Sequence, residues 1–270
     1  LLELIERLNK KEKIDFGIIG PENPLELGYA DILESRNIPC IGPLKEYATI
    51  ETSKIKAREF IEKCSLEKYS PRYTIIDNKV MIETTIETTI ENIKRDYKKI
   101  VIKKDGLCGG KGVKVEDVDF DNKDYLMDEL LNLKDGENLL IEDKLDGEEF
   151  SLMTMSDGFG GMFNFPPIQD NKRLKNDDLG PNTGGMGCII DKNNSLPFLT
   201  KEDIRVSEEI NKKIIEELNK EGVEKGNKVG YRGILYGSFI KSKDGDIHII
   251  EFNARFGDPE CYIALSLLKT

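Results

Sequence analysis

Three polar side chains follow an apolar strand pattern near the carboxyl end of the chain. The segment reads Ile247-His248-Ile249-Ile250-Glu251-Phe252-Asn253-Ala254-Arg255-Phe256-Gly257-Asp258-Pro259-Glu260. Glu251 and Asn253 are two positions apart, so on an extended backbone they project to the same side. Two hard oxygen ligands on one face suit Mg²⁺, which usually completes its shell with water and phosphate. Arg255 continues the alternation and would place a positive fork beside the metal. The pattern outlines a nucleoside-triphosphate site.

A glycine-rich loop with a lysine occupies residues 101–113. Its glycines, at 109, 110 and 112, would let the backbone turn tightly and present N–H donors to phosphate oxygens. Lys111 adds a charge at the tip, and Lys103 stands on the strand at its base. The spacing is not that of a P-loop, which requires GxxxxGK[ST]. By itself the segment leaves both phosphate binding and an unspecialised mobile loop open.

Two more segments combine polar groups with a predicted strand or loop. Residues 139–150 run from an apolar strand into clustered carboxylates, where a backbone edge could bind adenine and an acid could bind ribose hydroxyls. A solvated acidic turn is the alternative. Residues 179–187 hold four glycines together with Asn182 and Thr183, so successive N–H groups could be available to an anion. A flexible loop could have the same composition.

Composition excludes several classes of protein. The 270 residues carry a net charge of −11, which argues against a nucleic-acid surface. No apolar run approaches the ~18–20 residues that span a bilayer, and no signal peptide is expected. Five scattered cysteines favour reduced thiols in the cytoplasm over a disulfide framework or a zinc site. His248 is the single histidine and stands in a strand pattern, so a Ser-His or Cys-His relay is not supported.

Strands and helices alternate in the first part of the chain. Apolar strands at 14–19 and 38–41 flank a helical pattern at 25–35, which predicts a parallel sheet with its ligand edge near 20–22. Ser53 resembles an N-cap for a helix over 54–63. Further strands are predicted at 73–76, 80–82, 100–103, 113–115 and 139–142, and further helices at 1–9, 84–97, 125–133 and 200–221. Antiparallel pairs are predicted for 150–156 with 161–165 and for 231–241 with 246–252. Residues 172–187 form a long polar segment without periodicity.

Taken together, the motifs resemble those of phosphoribosylamine–glycine ligases, ATP-grasp enzymes of purine biosynthesis. The motifs are, in order, Gly-Pro-Glu at 20–22, Ser-Lys at 53–54, Ile-Lys-x-Asp-Gly at 102–106, Gly-Lys-Gly-Val at 110–113, Ile-Glu-x-x-Leu-Asp-Gly-Glu-Glu at 141–149, Gln-Asp-x-Lys-Arg at 169–173, Gly-Pro-Asn-Thr-Gly-Gly-Met-Gly at 180–187 and Glu-Phe-Asn-x-Arg-Phe-Gly-Asp-Pro-Glu at 251–260. The resemblance extends from about residue 14 to residue 260, and the last two motifs are the most specific.

The resemblance implies an α/β protein, in which two α+β subdomains of an ATP-grasp fold follow part of a Rossmann-like N-terminal domain. The implied divisions are a partial N-terminal substrate domain at 1–50, the start of the central region at 51–68, a lid at 69–138 and the central subdomain at 139–270. In the family a glycine-rich strand-turn-helix precedes the position of Leu1, and much of a C-terminal domain follows that of Thr270. The chain is therefore expected to be a fragment.

The activity implied by the resemblance is ATP-dependent ligation of glycine to 5-phosphoribosylamine through glycyl phosphate. Mg²⁺ or Mn²⁺ would bind at Glu251 and Asn253, and the expected catalytic residues are Lys103, Asp170 and Arg255. The residues implied for ATP are Lys54, Lys103, Gly109, Gly110, Lys111, Gly112, Glu142, Asp143, Leu145 and Glu149. Those implied for the two other substrates are Gly20, Pro21, Glu22, Asp170, Lys172, Pro181, Asn182, Thr183, Gly184, Gly185, Met186, Arg255, Asp258 and Glu260.

Two positions depart from the family pattern. Asn171 stands where the family usually has histidine, and an amide can hydrogen-bond but cannot carry a proton. Cys108 replaces a small residue. Two other functions are open: another ATP-grasp carboxylate–amine ligase, against which the 181–187 loop argues, and a non-catalytic nucleotide-binding remnant. Retention of Lys103, Glu251 and Arg255 argues against the remnant. The sequence gives no oligomeric state.

Overall fold

The architecture comes from a computed structural model, which describes residues 2–77, 85–108, 112–121, 123–176 and 179–268. The helices in this part of the chain are α1 (Leu2–Lys11), α2 (Glu22–Glu26), α3 (Tyr29–Glu34), α4 (Lys45–Thr52), α5 (Lys54–Lys63), α6 (Ile86–Asp96), α7 (Lys123–Leu131), α8 (Lys201–Glu224) and α9 (Glu260–Ser266). No helix in the described ranges combines the length and the apolar sequence that a bilayer crossing requires.

The strands in the same ranges are β1 (Gly17–Ile18), β2 (Cys40–Ile41), β3 (Tyr73–Ile76), β4 (Ile100–Lys104), β5 (Val113–Val115), β6 (Leu139–Asp143), β7 (Gly147–Asp157), β8 (Met162–Asn164), β9 (Gln169–Asp170), β10 (Arg173–Lys175), β11 (Leu179–Asn182), β12 (Cys188–Ile189), β13 (Arg232–Ser242) and β14 (Ile247–Asn253). The strand predicted at 80–82 lies outside the described residues.

The amino-terminal part is a small parallel unit. β1 and β2 pair in parallel, with Gly17 opposite Cys40, which confirms the predicted orientation. The single helix predicted over 25–35 is wrong. Gly28 has φ 74°, a left-handed conformation that glycine adopts without steric cost, and it separates α2 from α3. The helix α4 was not predicted.

A small sheet has the strand order β3-β6-β4-β5, with every pair antiparallel. Helices α6 and α7 contribute to its apolar core, which includes Ile90, Ile102, Leu126 and Ile141. β6 begins at Leu139, directly after the predicted lid boundary at 138, and pairs on both sides within this sheet.

A large antiparallel sheet has the order β14-β13-β7-β8, and its central strands β13 and β7 pair over eleven residues. Both predicted antiparallel pairs are confirmed. Alternation along β13 gives the sheet two apolar faces: Leu235 and Phe239 enter the core beneath α8, whereas Ile234 and Tyr236 enter a smaller cluster on the other face. Asn211 of α8 donates hydrogen bonds to Leu152 O and Thr154 Oγ1, both at 3.0 Å.

The segment 172–187 is more ordered than its sequence predicts. β10 and β11 form an antiparallel pair with Arg173 opposite Asn182, and β9 pairs with β12. Arg173 Nη1 donates to Gly180 O at 3.0 Å. The absence of periodicity in the sequence did not reveal these strands, because short hairpins held by backbone bonds carry no apolar periodicity.

Candidate functional site

The predicted metal pair lies at the end of β14. Burial opposes the ionisation of Glu251, but the charges of Lys103, Lys172 and Lys54, together with a hydrogen bond from Asn253, hold the pKa of Glu251 below its ordinary value. β14 pairs regularly with β13 from Glu251 to Asn253, so the two side chains share one side of the strand, as predicted. The carboxylate is therefore ionised at neutral pH and faces three lysines.

The donor set at this point fits a divalent ion that also binds phosphate. No group of three or more histidine, cysteine, aspartate or glutamate side chains among the described residues could hold a metal. A carboxylate and an amide oxygen leave most of an octahedral shell to other ligands, as Mg²⁺ in triphosphate sites requires. Arg255 Nη2 lies 3.4 Å from Asn253 Oδ1 and would restrain the amide.

Lys103 lies beside this pair but belongs to the small sheet. Its Nζ is 2.7 Å from Glu142 Oε2 and donates to Ile250 O at 3.1 Å. Arg58 of α5 binds the other oxygen of Glu142, with Nε to Oε1 at 2.5 Å. Burial opposes ionisation of Glu142, but Arg58 and Lys103 hold its pKa below the ordinary value.

The expected nucleotide contacts of 142–145 change accordingly. The side chain of Glu142 is buried and paired with two cations, and β6 is paired on both sides at this residue. Asp143 forms a two-point ion pair with Arg72, at 2.7 and 3.0 Å. Leu145 is half-buried just beyond β6. These two carboxylates are therefore committed to ion pairs, and the adenine contact of 142–145 stays a prediction.

The base of the glycine-rich loop is fastened to the start of α5. Lys54 Nζ donates to Gly106 O at 2.8 Å, and Ser53 Oγ donates to both oxygens of Asp105 at 3.1 Å. On the return side, Lys104 N donates to Gly112 O at 2.8 Å. The loop tip predicted to bind phosphate, Gly109, Gly110 and Lys111, lies outside the described residues.

A second acidic group surrounds a small polar cavity of about 10 Å³. The cavity is lined by Glu149, Phe150, Ser151, Asp170, Lys172, Tyr236 and Ser238. Burial and the nearby Glu260 raise the pKa of Asp170 to about 6. Within the described part of the chain, its buried Oδ1 has no hydrogen-bond partner. Lys172 Nζ lies 3.3 Å from Glu149 Oε2.

Glu260, predicted to meet a substrate, is turned into the protein. It is 2% exposed, and Tyr236 Oη donates to its Oε1 at 2.7 Å. Asp258 is exposed and precedes a cis peptide bond to Pro259. Gly185 (φ 123°) packs so closely on this turn that an added Cβ would lie 2.4 Å from Pro259 Cδ, so a side chain is excluded there.

Arg255 is held between carboxylates from the amino-terminal part. Its Nε lies 3.0 Å from Glu51 Oε1 and 3.2 Å from Glu22 Oε2, although within the described residues it donates a hydrogen bond to neither. Glu51 also accepts from Ala254 N at 2.7 Å. Burial raises the pKa of Glu51 to about 7, against the opposing effects of Arg255 and Ala254 N.

The amino-terminal part brings Gly20, Pro21 and Glu22 to the side of the site where Arg255 lies. They follow β1, and Pro21 precedes the first residue of α2. The space around Gly20 is open to 4 Å, so the backbone there is accessible to a ligand.

Three N–H groups of the 181–187 loop already have hydrogen-bond partners within the protein. Thr183 N donates to Lys172 O at 2.7 Å, Gly185 N to Thr183 Oγ1 at 3.1 Å and Met186 N to Asn171 O at 2.8 Å. The prediction that successive N–H groups are available to an anion is therefore wrong at these three positions. Gly184 has open space beside it, and the side chains of Pro181 and Asn182 lie outside the described set.

Asn171, the departure from the family pattern, has a structural contact. Its Nδ2 donates to Gly187 O at 3.1 Å, and its own N–H donates to the same carbonyl at 3.0 Å. The amide therefore closes the base of the loop.

Two residues of this region were missed by sequence reasoning. Arg58 follows Lys54 by four positions, which places both on one face of α5, and this spacing could have identified it. Glu51 lies in the unpredicted helix α4, and no motif marks it. Both are buried charges.

Comparisons with known proteins give a consistent result. A family model described as phosphoribosylglycinamide synthetase, ATP-grasp (A) domain, matches residues 52–261, and one described as the N domain matches residues 2–51. The phosphoribosylamine–glycine ligase of Methanococcoides burtonii is 40% identical over 261 residues, 97% of this chain and 56% of the relative. The ligase of Pyrococcus furiosus is 42% identical over 272 residues, which cover 99% of this chain and 58% of that relative.

Solved structures agree. The crystal structure of phosphoribosylamine–glycine ligase from Thermotoga maritima has a TM-score of 0.73 at 32% identity, covering 97% of this chain and 60% of that one. A biotin carboxylase domain from Hydrogenobacter thermophilus, at 16% identity, has a TM-score of 0.63, covering 96% of this chain and 52% of that one, and shows the fold alone. The chain spans slightly more than half the length of the relatives that it matches.

Proposed function

The chain belongs to the phosphoribosylglycinamide synthetase family, and on that premise we propose that it carries the ATP-binding part of a phosphoribosylamine–glycine ligase. The proposed reaction joins glycine to 5-phosphoribosylamine and converts ATP to ADP and phosphate. The observation that carries the proposal is the convergence of Lys103, from the small sheet, on Glu251 and Asn253, from the large sheet.

The triphosphate is proposed to lie between the two sheets. Lys103 and Lys54 would neutralise phosphate charge, and the loop with Lys111 would cover the phosphates. Glu251 and Asn253 would hold Mg²⁺ or Mn²⁺, which would neutralise the transferring phosphoryl group. The backbone of 142–145 would face adenine, and Glu149 would face the ribose.

Glycine is proposed to bind between Asp170 and Arg255. The carboxylate oxygen of glycine attacks the γ-phosphorus, the bond to the β-phosphate oxygen breaks, and ADP leaves. The amine nitrogen of phosphoribosylamine then attacks the acyl carbon, phosphate leaves with the bonding pair, and the nitrogen loses a proton. Closure of the two sheets would exclude water from the acyl phosphate.

The second substrate is proposed to bind near the amino-terminal unit. Gly20 to Glu22 follow β1 and lie beside Arg255 through the 3.2 Å contact of Glu22. The 181–187 loop and Asp258 would complete this side. Because Thr183, Gly185 and Met186 use their N–H groups internally, the loop would contribute through its side chains and through Gly184.

The proposed organisation has a partial amino-terminal substrate domain at 1–50 and a lid that begins at Tyr69. The pairing of β6 within the small sheet supports extending the lid to Asp143. The central subdomain would contain 51–68 and 144–270. All five cysteines are free thiols, which supports a reducing, cytoplasmic setting.

One assay tests the activity. The full-length protein is supplied with ATP, Mg²⁺, glycine and freshly made phosphoribosylamine, and ADP release is measured. We expect release that requires both glycine and the amine, and that falls strongly with alanine or serine. Equal release with other amino acids would favour another carboxylate–amine ligase, and ADP binding without turnover would favour a non-catalytic remnant.

A further inference from the structure

A buried arginine outside the predicted site connects the two sheets. Arg58 is 3% exposed and extends from α5. Its Nε binds Glu142 of the small sheet, while Nη1 and Nη2 donate to Ile249 O at 3.3 Å and Ile250 O at 2.8 Å on the large sheet. One planar group therefore fixes a side chain on one sheet and the backbone of the other.

The same two acceptors hold Lys103. Glu142 gives one oxygen to Arg58 and the other to Lys103, and Ile250 O accepts from both cations. The two groups that hold the ammonium of Lys103, Glu142 and Ile250 O, are therefore also bound by Arg58. Ile250 immediately precedes Glu251, so the position of the metal carboxylate is tied to the same group.

Because Arg58 and Lys103 share Glu142, the charge of Lys103 is only partly neutralised. Two buried cations face one carboxylate, so Lys103 is not fully neutralised by Glu142 and its charge also lowers the pKa of Glu251. Without Arg58, Lys103 would be the one cation paired with Glu142 among the described residues, and Glu142 would draw the ammonium toward itself. A lysine at position 58 could not replace the fork, because an ammonium lacks the planar arrangement that reaches three acceptors.

We propose that Arg58 is a positioning residue for Lys103, setting where the ammonium meets the triphosphate without touching the nucleotide itself. The proposal rests on the proposed function for the identity of the reaction, but its binding test needs only a nucleotide. By binding both Glu142 and the β14 backbone, Arg58 also sets the position of the small sheet relative to β14.

The test compares Arg58→Met with Ile61→Ala in the full-length protein. Ile61 is 1% exposed on the same helix and lies in the apolar core, so its truncation destabilises α5 without touching the charges. Thermal unfolding, ADP affinity in the presence of Mg²⁺, and KM for ATP against kcat are measured for both. We expect Arg58→Met to weaken ADP binding and raise KM for ATP by about tenfold or more, because small misplacements of a binding group are costly. Arg58→Lys should be intermediate.

A second variant separates positioning from direct contact and from stability. Adding Glu142→Gln to Arg58→Met removes the unbalanced pull on Lys103, so we expect ADP affinity to recover in part. A double variant no better than Arg58→Met, or an equal loss of affinity in Ile61→Ala, would overturn the positioning role. ADP binding that follows this pattern without glycine-dependent turnover would leave Arg58 assigned and reject the proposed function.

Discussion

The two sheets hold themselves together by apolar packing but meet each other through charge. Within the described ranges, the core of the small sheet is drawn from residues 76–141, and the two clusters of the large sheet include none of its members. At the junction stand Arg58, Lys103, Glu142 and the carbonyl of Ile250. Charge-assisted hydrogen bonds are short and directional, so they specify the distance between the groups that they join. The difference indicates that packing sets each sheet and that paired charges set their relation.

Such a junction has a physical cost and a use. Burying ions is unfavourable unless each is paired and hydrogen-bonded, and ion pairs of this kind are weak evidence for stability. Here every named ion has a partner, and the arrangement leaves a partly uncompensated lysine facing Glu251. The junction therefore serves the site more than the fold, which gives the comparison consequences that can be measured.

The largest effect is expected at the junction itself. Glu251→Gln keeps the shape of the side chain but removes the charge that Lys103, Lys172 and Lys54 stabilise. We expect glycine-dependent ADP release to fall by about 10²–10³-fold. The unfolding temperature should fall as well, because a carboxylate whose pKa is lowered in the folded state stabilises that state when it is ionised. Steady-state assays and thermal unfolding of the full-length protein measure both. The matched control is Glu148→Gln, an exposed position on β7, which should retain activity. Unchanged turnover in Glu251→Gln would reject the metal assignment.

The two separate cores should respond independently. Leu235→Ala on β13 and Leu126→Ala on α7 remove the same atoms from sites 0% and 2% exposed. Each should cost about 2–5 kcal/mol. Because their clusters are distinct, Leu126→Ala should accelerate amide hydrogen exchange within β3–β6 alone, while Leu235→Ala should accelerate it in the large sheet. Exchange that spreads equally through both sheets in both variants would contradict the separation of the cores.

The same comparison shows what sequence could predict. Alternation in 247–253 predicted both the strand and the shared face of Glu251 and Asn253, because period two is a local property. The cap at Ser53 was equally local and is confirmed, with Lys56 N donating to Ser53 Oγ at 3.1 Å. The Arg58–Glu142 pair spans 84 positions, and no local pattern encodes it.

The sequence-based predictions failed where one local pattern is compatible with two structures. The helix α4 contains Thr49, Ile50 and Thr52, whose β-branching disfavours helix, and burial of Tyr47 and Ile50 against the large core outweighs that preference. In the 181–187 loop, composition correctly marks N–H groups without side-chain hindrance. It cannot tell whether those groups bind an anion or the loop itself, because both uses favour the same residues.

A smaller effect is expected from pH at Asp170, which belongs to the large sheet alone. Its pKa of about 6 means that the carboxylate becomes neutral below that pH. If it binds the ammonium of glycine, KM for glycine should rise about tenfold for each pH unit below 6, while ADP affinity stays nearly constant. Stability changes with pH in the opposite direction. The carboxylate of Asp170 binds its proton more tightly in the folded protein, where its pKa is about 6, than in the unfolded chain, where it is 3.8. The contribution of Asp170 to stability therefore falls as the pH rises from 3.8 to about 6.

Asp170→Asn is the control for that titration. It should show a high KM for glycine at every pH and should lose the slope of stability between pH 4 and 6. The charges that face Asp170 are Glu260, Lys172 and Glu149. Persistence of the KM profile in Asp170→Asn would assign it to one of these groups instead.

The smallest effect separates two helix caps of similar geometry. Ser53 Oγ accepts from Lys56 N at the start of α5, and Thr85 Oγ1 accepts from Thr88 N at the start of α6. Replacing either with alanine should cost about 1 kcal/mol of unfolding free energy, measured by urea denaturation. Only Ser53 also donates to Asp105 at the base of the glycine-rich loop. Ser53→Ala should therefore weaken ADP binding severalfold, whereas Thr85→Ala should leave it unchanged. Equal ADP affinity in the two variants would mean that the loop base is held without Ser53, through Lys54 and Ile55 N, and would restrict the junction to its buried charges.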